Sequence, residues 1–347
     1  MGNWLADVAG VPAVLVTVAR VEGSGPREAG AKMLVTAAAL FDTIGGGHLE
    51  LRAVEIARGM LDGGAARVER YALGPSLGQC CGGVVHLAFE RVDAGLRAVL
   101  DALRQRHRED CWRVSALDGA AASALFDGAG SKLLGVAPQL PAALMRARCA
   151  QLWQDGEGRR WLLDPCLAPR AHLTLFGAGH VGAAIVRALA DLPCNVTWVD
   201  ERDAMFPVAV PENVRVEATD TPEALVDAAP PGGSFLVMTH SHALDQRLTE
   251  AIMARADVGW FGLIGSLTKR RQFEHRLRER GVAAERIAAM VCPIGLAGIG
   301  NKMPAAIAAS VCAQLLMVWE AAAAAESTTA PLRLVASGGA PNTPHSF

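Results

Sequence analysis

The chain has 347 residues, of which 51% are apolar and 20% are charged, and its formal net charge is only -2. A nearly neutral chain gives no reason to expect a polyanionic partner, so nucleic-acid binding is not predicted. The length exceeds that of one ordinary hydrophobic core and predicts two domains. The first twenty residues lack a basic leading segment, and Gln314 interrupts the longest apolar run before it can cross a bilayer. We therefore expect a cytoplasmic protein without a membrane segment.

The first predicted domain covers residues 1–110. Strands are predicted over residues 13–21, 31–36, 68–73 and 84–89 because these stretches are rich in β-branched and apolar residues. A helix begins near residue 49, because Leu49, Ala53, Ile56 and Met60 recur at helical spacing, and a second helix covers residues 92–106. These elements predict an α/β domain.

Residues 111–170 are predicted to form a connecting region. Its elements are a few short strands, a helix near residues 141–151 and a hairpin turn at residues 156–158. Two prolines in residues 164–170 indicate a linker at its end.

Residues 171–325 alternate strands with helices, which is the pattern of a parallel sheet with right-handed crossovers. The predicted strands are residues 172–176, 195–199, 214–217, 234–239 and 260–264. The last helix, over residues 304–325, is apolar around nearly its whole circumference, so we expect it to be buried against the sheet or a partner subunit. Residues 326–347 lack periodicity and are predicted to be a disordered tail. The fold class is α/β, with an N-terminal α/β domain and a C-terminal Rossmann-like, doubly wound parallel sheet.

The most informative motif is Gly78-Gln79-Cys80-Cys81-Gly82-Gly83. Glycines allow close approach of a ligand to the backbone, and thiolates are both nucleophiles and ligands for soft metals. The alternative is that both cysteines are small buried apolar residues. The remaining six cysteines are scattered without a repeated spacing, so neither a disulfide framework nor a structural zinc site is predicted.

Two further glycine turns accompany the cysteine motif. Gly45, Gly46 and Gly47 offer backbone amides at a helix start, with Glu50 directed inward or toward a ligand. The loop from Gly23 to Arg27 adds one guanidinium that is able to grip a phosphate. Each turn alone could be only a tight connection. Together they suggest one site for a phosphate-bearing, sulfur-rich molecule.

The second domain carries a dinucleotide-binding fingerprint. Gly177, Gly179 and Gly182, with His180 between them, follow a predicted strand and open a helix, and Asp200 closes the next strand. A possible nucleotide would place its phosphate at Gly179 and its ribose at Asp200; the alternative is that the glycines serve packing alone.

Two histidines follow the fourth strand of this domain. His240 and His242 would face one side of a strand, which with Asp245 suggests a metal site, but a ligand-facing loop is preferred because ligands lie beyond the strand ends in such folds. The basic cluster of Lys269, Arg270 and Arg271 is predicted to be solvated or to touch a partner.

These motifs, with Asp200-Glu201-Arg202, Gly262-Leu263-Ile264-Gly265-Ser266 and Pro293-Ile294-Gly295-Leu296, make the chain resemble the XdhC/CoxI family of xanthine dehydrogenase accessory proteins. The resemblance extends to about Val318. It implies a chaperone that binds the molybdenum cofactor (molybdopterin), protects it while a cysteine desulfurase installs its sulfido ligand, and inserts it into apo-xanthine dehydrogenase. A homodimer is expected, and the protein is expected not to be a catalyst.

The ligand is expected in a cleft between the cysteine turn and the Rossmann switch point. Cys80 and Cys81 are the candidates for contact with the metal or its sulfur. The candidate cofactor-binding residues are Cys80, Cys81, Gln79, Gly82, Arg27, Gly46, Gly47, Glu50, Gly177, Gly179, His180, Gly182, Asp200, His240 and His242.

One segment departs from the family pattern. Residues 297–304 read Ala-Gly-Ile-Gly-Asn-Lys-Met-Pro, where the family usually has an acidic, threonine-containing approach to the last helix. Two other functions stay open. One is an NAD(P)-dependent oxidoreductase that uses the Gly177–Gly182 fingerprint, and the other is a sulfur relay with a persulfide on Cys80 or Cys81.

Overall fold

The computed structural model describes residues 3–8, 10–74, 82–146 and 148–329. The chain divides into two compact units, Met1–Pro169 (unit 1) and Arg170–Phe347 (unit 2). The boundary lies at the end of the proline-containing segment that was predicted to be a linker, although a strand continues as far as Cys166.

Unit 1 begins with a five-stranded antiparallel sheet. Its strands are β1 (Ala13–Glu22), β2 (Lys32–Thr36), β3 (Leu40–Asp42), β4 (Arg67–Ala72) and β5 (Val84–Arg91), in the order β3-β2-β1-β5-β4. Side chains alternate between the faces of β1: Val14, Val16 and Val18 pack against helix α1 (Gly47–Gly59), and Leu15 points to the other side. The α/β character predicted for this domain is confirmed, with the sheet antiparallel.

Residues 111–166 form a second antiparallel sheet in unit 1, where the sequence predicted a connecting region. Its strands are β6 (Cys111–Ala116), β7 (Ser123–Asp127), β8 (Lys132–Gly135), β9 (Gln151–Gln154) and β10 (Arg160–Cys166), in the order β8-β7-β6-β10-β9. Helix α2 (Ala94–Gln105) packs its apolar face against residues of both sheets, among them Leu15 and Leu125.

The prediction of a helix near residues 141–151 is wrong. Only one turn of 3-10 helix forms there, at Leu144–Arg146, and Gln151 opens β9. The exposure of β9 alternates residue by residue, which is the pattern of a half-buried strand. The hairpin turn predicted at residues 156–158 does connect β9 to β10.

Unit 2 has the predicted Rossmann-like, doubly wound fold. Its parallel strands are β11 (Ala171–Phe176), β12 (Cys194–Asp200), β13 (Val214–Ala218), β14 (Ser234–Val237) and β15 (Trp260–Leu263), in the order β13-β12-β11-β14-β15. The order reverses between β11 and β14, which creates the switch point where ligands bind in such sheets. The helices are α3 (His180–Ala188), α4 (Glu223–Ala228), α5 (His242–Ala254), α6 (Leu267–Glu279), α7 (Ala284–Ala289) and α8 (Pro304–Thr329).

Helix α8 packs on the sheet and on α3 through residues such as Val311 and Leu315, as predicted for burial against the sheet. It is four residues longer than predicted, and residues 330–347 of the predicted tail lie outside the described residues. Gln314, which interrupts the apolar run, exchanges hydrogen bonds of 2.9 and 3.2 Å with the backbone of Gly295.

The expectation that no segment could span a membrane is corrected by helix α8. By length and composition alone, Pro304–Ala325 is long and apolar enough to cross a bilayer, with a mean hydropathy of 1.6. A core helix of a globular domain meets the same criterion, and α8 packs on the sheet through Val311 and Leu315, with 28% of its apolar segment buried.

Candidate functional site

The glycine turns predicted to form one site do meet at one end of the first sheet. Strands β4 and β5 form a hairpin whose base is closed by a 2.8 Å hydrogen bond from the Leu73 amide to the Gly83 carbonyl. A Cβ placed on Gly83 would lie 2.2 Å from the Ser24 carbonyl oxygen and 2.6 Å from that of Glu22. Only glycine fits here. The loop that contains Gly23 and Arg27 therefore runs directly against the base of this hairpin.

The hairpin connects through the cysteine motif. Gln79, Cys80 and Cys81 lie outside the described residues, so the predictions made for them stay predictions. Gly82 is described, and a Cβ built on it would meet nothing within 4 Å. Among the residues that the structure describes, nothing crowds the backbone at Gly82, as the prediction of close ligand approach requires.

The third glycine turn packs on the same loop. A Cβ on Gly45 would lie 2.6 Å from the Pro26 Cβ, and the Arg27 guanidinium donates to the Thr43 carbonyl at 3.4 Å. The left-handed φ angles of Gly45, Gly46 and Gly47, at 119°, 72° and 67°, allow the chain to turn there into α1.

Glu50 does not point toward a ligand. Its Oε2 accepts hydrogen bonds from the Thr43 hydroxyl at 2.5 Å and from the amides of Ile44 and Gly46 at 3.0 and 3.1 Å. The carboxylate therefore occupies part of the anion cradle that the sequence assigned to a ligand. Of the two directions predicted for Glu50, the inward one is confirmed, and the role of the Gly46 amide as an anion donor is corrected.

Arg27 supplies a positive charge beside the glycine turns. Its guanidinium forms a two-pronged pair with the adjacent Glu28, at 3.1 and 2.9 Å, and this hydrogen bonding holds the pKa of the Glu28 carboxyl below its usual range. An exposed pair of this kind contributes only about 0–1 kcal/mol, so a phosphate could displace Glu28 at little cost.

The Rossmann turn has the geometry that its glycines predict. Gly177 has a φ of 120°, and a Cβ there would lie 2.4 Å from the Met238 carbonyl oxygen. A Cβ on Gly182 would lie 2.2 Å from the Gly177 carbonyl oxygen, whereas one on Gly179 would meet nothing within 4 Å. The turn is therefore tightly packed at Gly177 and Gly182 and open at Gly179. The open position lies beside His180, the exposed first residue of α3.

Asp200 is engaged within the fold. Its carboxylate accepts hydrogen bonds from the Ala178 amide at 2.7 Å and from the Arg202 guanidinium at 2.9 and 3.0 Å. Burial acts to raise the pKa of Asp200, but these hydrogen bonds outweigh it and hold the pKa below its ordinary value. A ribose would have to compete with Arg202 for this carboxylate.

The crevice at the switch point is small. It lies beside Gly177, Asp200, Thr239 and His240 and has a volume of about 10 Å³. That volume holds about one water molecule. A nucleotide could not enter it and would have to lie along the surface of the turn, where Gly179 is open.

The two histidines do not share a strand. Strand β14 ends at Val237, His240 lies in the following loop, and His242 is the first residue of α5, whose N-cap Ser241 accepts a hydrogen bond from the Leu244 amide. The preferred loop position is confirmed for His240, and both side chains are exposed. Within the described part of the chain, no group of three or more His, Cys, Asp or Glu side chains could hold a metal ion.

Sequence reasoning missed a buried ion pair near this loop. The Lys269 ammonium lies 2.5 Å from Asp245 Oδ2 and donates to the Ile264 carbonyl at 2.8 Å. Asp245 Oδ1 in turn accepts from the amide and hydroxyl of Thr239 at 3.0 and 2.7 Å. The prediction that Lys269 is solvated is wrong, because its side chain is only 10% exposed. The pair fixes the start of the His240 loop.

A second buried cluster was also missed, in unit 1. Arg113 on β6 lies 2.9 Å from Asp164 and 2.8 Å from Glu90, and Lys32 lies 2.8 Å from Asp164. All four side chains are buried, and they join the two sheets of unit 1. The sequence signal is a charged residue within a mostly apolar strand, as with Arg113 in Cys111–Ala116 and Glu90 in Val84–Arg91.

Comparison with known proteins gives the family. A model of the XdhC and CoxI family matches residues 7–72, and a model of the XdhC Rossmann domain matches residues 173–315, together more than half of the chain. An uncharacterized Escherichia coli K12 protein, YqeB, is 34% identical to this chain over 155 residues. The match covers 43% of this chain and 27% of YqeB, so the chain spans about a quarter of that relative. A solved Bacillus halodurans structure, described as a xanthine dehydrogenase, has a TM-score of 0.74 at 22% identity and covers 92% of this chain and 96% of its own, which shows a shared fold. The chain belongs to the XdhC and CoxI family.

Proposed function

We propose that this chain binds the molybdenum cofactor as cargo, protects it while a cysteine desulfurase installs its sulfido ligand, and delivers it to apo-xanthine dehydrogenase. Family membership supports an association with xanthine dehydrogenase. The description of the Bacillus halodurans protein as a xanthine dehydrogenase is consistent with that association. The proposed role is that of a cytoplasmic chaperone.

The observation that carries the proposal is the meeting of the glycine segments in unit 1. Gly83 touches the carbonyls of Glu22 and Ser24, and Gly45 touches Pro26, at the end of the hairpin that carries the cysteine motif. A molybdenum held by a pterin dithiolene is thiophilic and carries a phosphate. Thiolates from Cys80 and Cys81 suit the soft metal and its sulfur, and the Arg27 guanidinium suits the phosphate.

The charge pattern supports reversible binding. Arg27 forms an exposed ion pair with Glu28. When a phosphate binds, Arg27 exchanges this weak pair for a pair with the phosphate, and when the phosphate leaves, the pair with Glu28 forms again. A carrier must release its cargo, and a site built from an exposed pair and open backbone meets that requirement.

An NAD(P)-dependent oxidoreductase is the alternative from another class. The tight Gly177 turn favours it, but the engagement of Asp200 with Arg202 and the crevice of about 10 Å³ weigh against a resident dinucleotide. Titration with NAD(H) and NADP(H), followed by thermal unfolding, tests it. A saturable rise in melting temperature would favour this alternative.

We also propose a homodimer, formed through α8. Met317 on this helix is 63% exposed within a segment that is apolar nearly all round, which supports a contact with a second copy. Sedimentation equilibrium of the wild type and Met317→Lys tests the proposal. A monomeric wild type would contradict it.

The main experiment is an anaerobic titration of the full chain with molybdenum cofactor, followed by reconstitution of apo-xanthine dehydrogenase. We expect wild type to bind and activate, and the double variant Cys80→Ser/Cys81→Ser to lose both. Cys149→Ser is the matched control, because Cys149 is an exposed free thiol elsewhere in the chain. Failure of wild type to bind the cofactor would overturn the proposal.

A further inference from the structure

A groove of about 330 Å³ opens between the two sheets of unit 1. Val68, Arg70 and His86, from β4 and β5, line one wall, and the other wall consists of residues of the second sheet and its turns. Those residues are Leu117, Leu152, Trp153, Gln154 and Arg160. A cavity of this volume falls within the range of small-molecule sites, about 300–1,000 Å³.

The groove has an apolar interior because its walls rest on a small core. Val68 packs on a cluster that contains Ala19, Ala88 and Leu162. Because alanine side chains are small, they leave a space between the two facing sheets. This space is flat, since sheets present broad, nearly planar surfaces about 10 Å apart. Such a slot admits a planar ring more readily than a bulky group.

The polar groups at the groove are cationic or neutral. Arg70 and Arg160 contribute two guanidinium groups and His86 an imidazole, and none of the eight described lining residues carries a carboxylate. Among the residues that the structure describes, Arg70 is exposed and forms no hydrogen bond or ion pair. Arg160 pairs with Asp118 at 2.9 Å, and its side chain is 59% exposed. A guanidinium without a partner is a ready donor to a phosphate or carboxylate.

The groove lies close to the glycine-rich end of the sheet. Arg70 pairs with His86 two residues before the last pair of the β4–β5 hairpin, Ala72 with Val84, so the groove begins about 7 Å along the strand from that end. His86 Nε2 also lies 3.3 Å from the carboxylate of Glu22, whose carbonyl oxygen faces Gly83. The groove and the glycine segments therefore share residues of one surface.

We infer that this groove binds a planar heteroaromatic anion, with the ring between Val68 and Leu152 and the anionic group on Arg70. The assignment of the ring as the pterin of the molybdenum cofactor, whose negative charge lies on its phosphate rather than on the ring, rests on the proposed function, whereas the preference for a flat anion does not. The groove would hold the organic part of the cargo beside the hairpin.

The test uses 6-carboxypterin, which is flat, anionic and fluorescent, and unsubstituted pterin as its uncharged counterpart. We expect the full-length wild type to bind 6-carboxypterin saturably and more tightly than pterin. Arg70→Gln should weaken binding of the anion about tenfold, because an exposed charge-assisted hydrogen bond is lost, and should leave pterin nearly unaffected. Leu152→Glu should weaken both, because it replaces an apolar contact with the ring by a hydrated carboxylate, with the larger effect on the anion because it adds a negative charge.

Arg67→Gln is the matched control. Arg67 lies on the same strand, but it pairs with Glu69 and lies over the ring of Phe89, whose core cluster is on the opposite face of the sheet. Its binding of 6-carboxypterin should match wild type. Absence of saturable binding in wild type, or wild-type affinity in both Arg70→Gln and Leu152→Glu, would overturn the inference.

A parallel titration with molybdenum cofactor separates the two proposals. If wild type and Leu152→Glu bind the cofactor equally, the assignment of the groove to the pterin ring fails and the proposed function stands. If 6-carboxypterin binds through Arg70 but wild type does not bind the cofactor, the groove stands as a site for flat anions and the proposed function fails.

Discussion

Gly83 is the residue on which the convergence of the glycine segments depends. We expect Gly83→Ala to lower the free energy of unfolding by about 1–3 kcal/mol, because its Cβ would overlap the backbone carbonyls of Ser24 and Glu22, which cannot move like the end of a side chain. The adjacent Gly82→Ala should change it by no more than about 0.5 kcal/mol, since no atom of the described residues lies within 4 Å of a Cβ there. Urea unfolding of both variants checks this. Equal effects would mean that the close approach at Gly83 is unimportant.

Asp200 makes part of the stability of unit 2 dependent on pH. Its pKa is lower in the folded than in the unfolded chain, so the carboxylate stabilises the fold above the unfolded pKa, about 3.9, and this contribution is lost as the pH falls through the folded pKa. We expect Arg202→Leu to reduce the free energy of unfolding near neutral pH, and the difference from wild type to shrink below about pH 4, where the carboxyl becomes protonated.

Urea unfolding across this pH range measures the effect of Arg202→Leu. The control is Arg215→Leu, which removes an exposed arginine on the neighbouring strand β13. Its difference from wild type should be small and vary little with pH. A constant difference for Arg202→Leu at every pH would show that Arg202 does not act through the ionisation of Asp200.

The sequence predicts features that depend on neighbouring residues and misses those that depend on distant ones. The glycine roles at Gly177 and Gly182 follow from the local fingerprint, and the structure has the geometry they require. The inward turn of Glu50, by contrast, shows only when its oxygen is seen to accept from the Thr43 hydroxyl and two amides. An acidic residue near a glycine turn fits either a ligand or the chain's own backbone.

At the scale of the elements, Lys269 and Asp245 join α6 to α5. They are 24 residues apart, so composition alone made Lys269 part of an exposed basic cluster. We expect Lys269→Met to destabilise unit 2 by about 3–5 kcal/mol, because the buried Asp245 carboxylate would lose its cation. Arg271→Met, an exposed change on the same helix, should have little effect.

Denaturant unfolding monitored by circular dichroism tests the effect of Lys269→Met. The double variant Asp245→Asn/Lys269→Met should recover part of the lost stability, because no charge is then left buried without a partner. If the double variant is as unstable as the two single losses added together, the two side chains do not act as a pair.

Element order was also only partly predictable. Alternating exposure and β-branched residues indicate most strands, and the alternation with helices indicates a parallel sheet in unit 2. The second sheet of unit 1 was missed as a sheet, because its edge strands β8 and β9 have only four residues each and its central pair, β6 with β10, joins segments that are distant in sequence. Short strands give weak local patterns, and their pairing is decided by the tertiary core.

At the scale of the whole molecule, each unit has hydrophobic clusters of its own, so damage to one core should be felt first within its unit. Arg113 tests this for unit 1. The Arg113 guanidinium lies 2.8 Å from Glu90 and 2.9 Å from Asp164. Arg113→Met would leave these two buried carboxylates without the arginine's positive charge and should lower the free energy of unfolding by about 3–5 kcal/mol. Arg113→Lys keeps the charge but loses the forked geometry, so its effect should be smaller.

Hydrogen–deuterium exchange of the full chain, read peptide by peptide, measures where the stability is lost. We expect Arg113→Met to speed exchange in β1, β5, β6 and β10 before it affects β11–β15, and Lys269→Met to show the opposite order. Because local opening follows the nearest buried contacts, a buried charge left unpaired between the sheets of unit 1 loosens the strands that enclose it. An equal rise in exchange across both units for either variant would instead show that the chain unfolds as a single cooperative body.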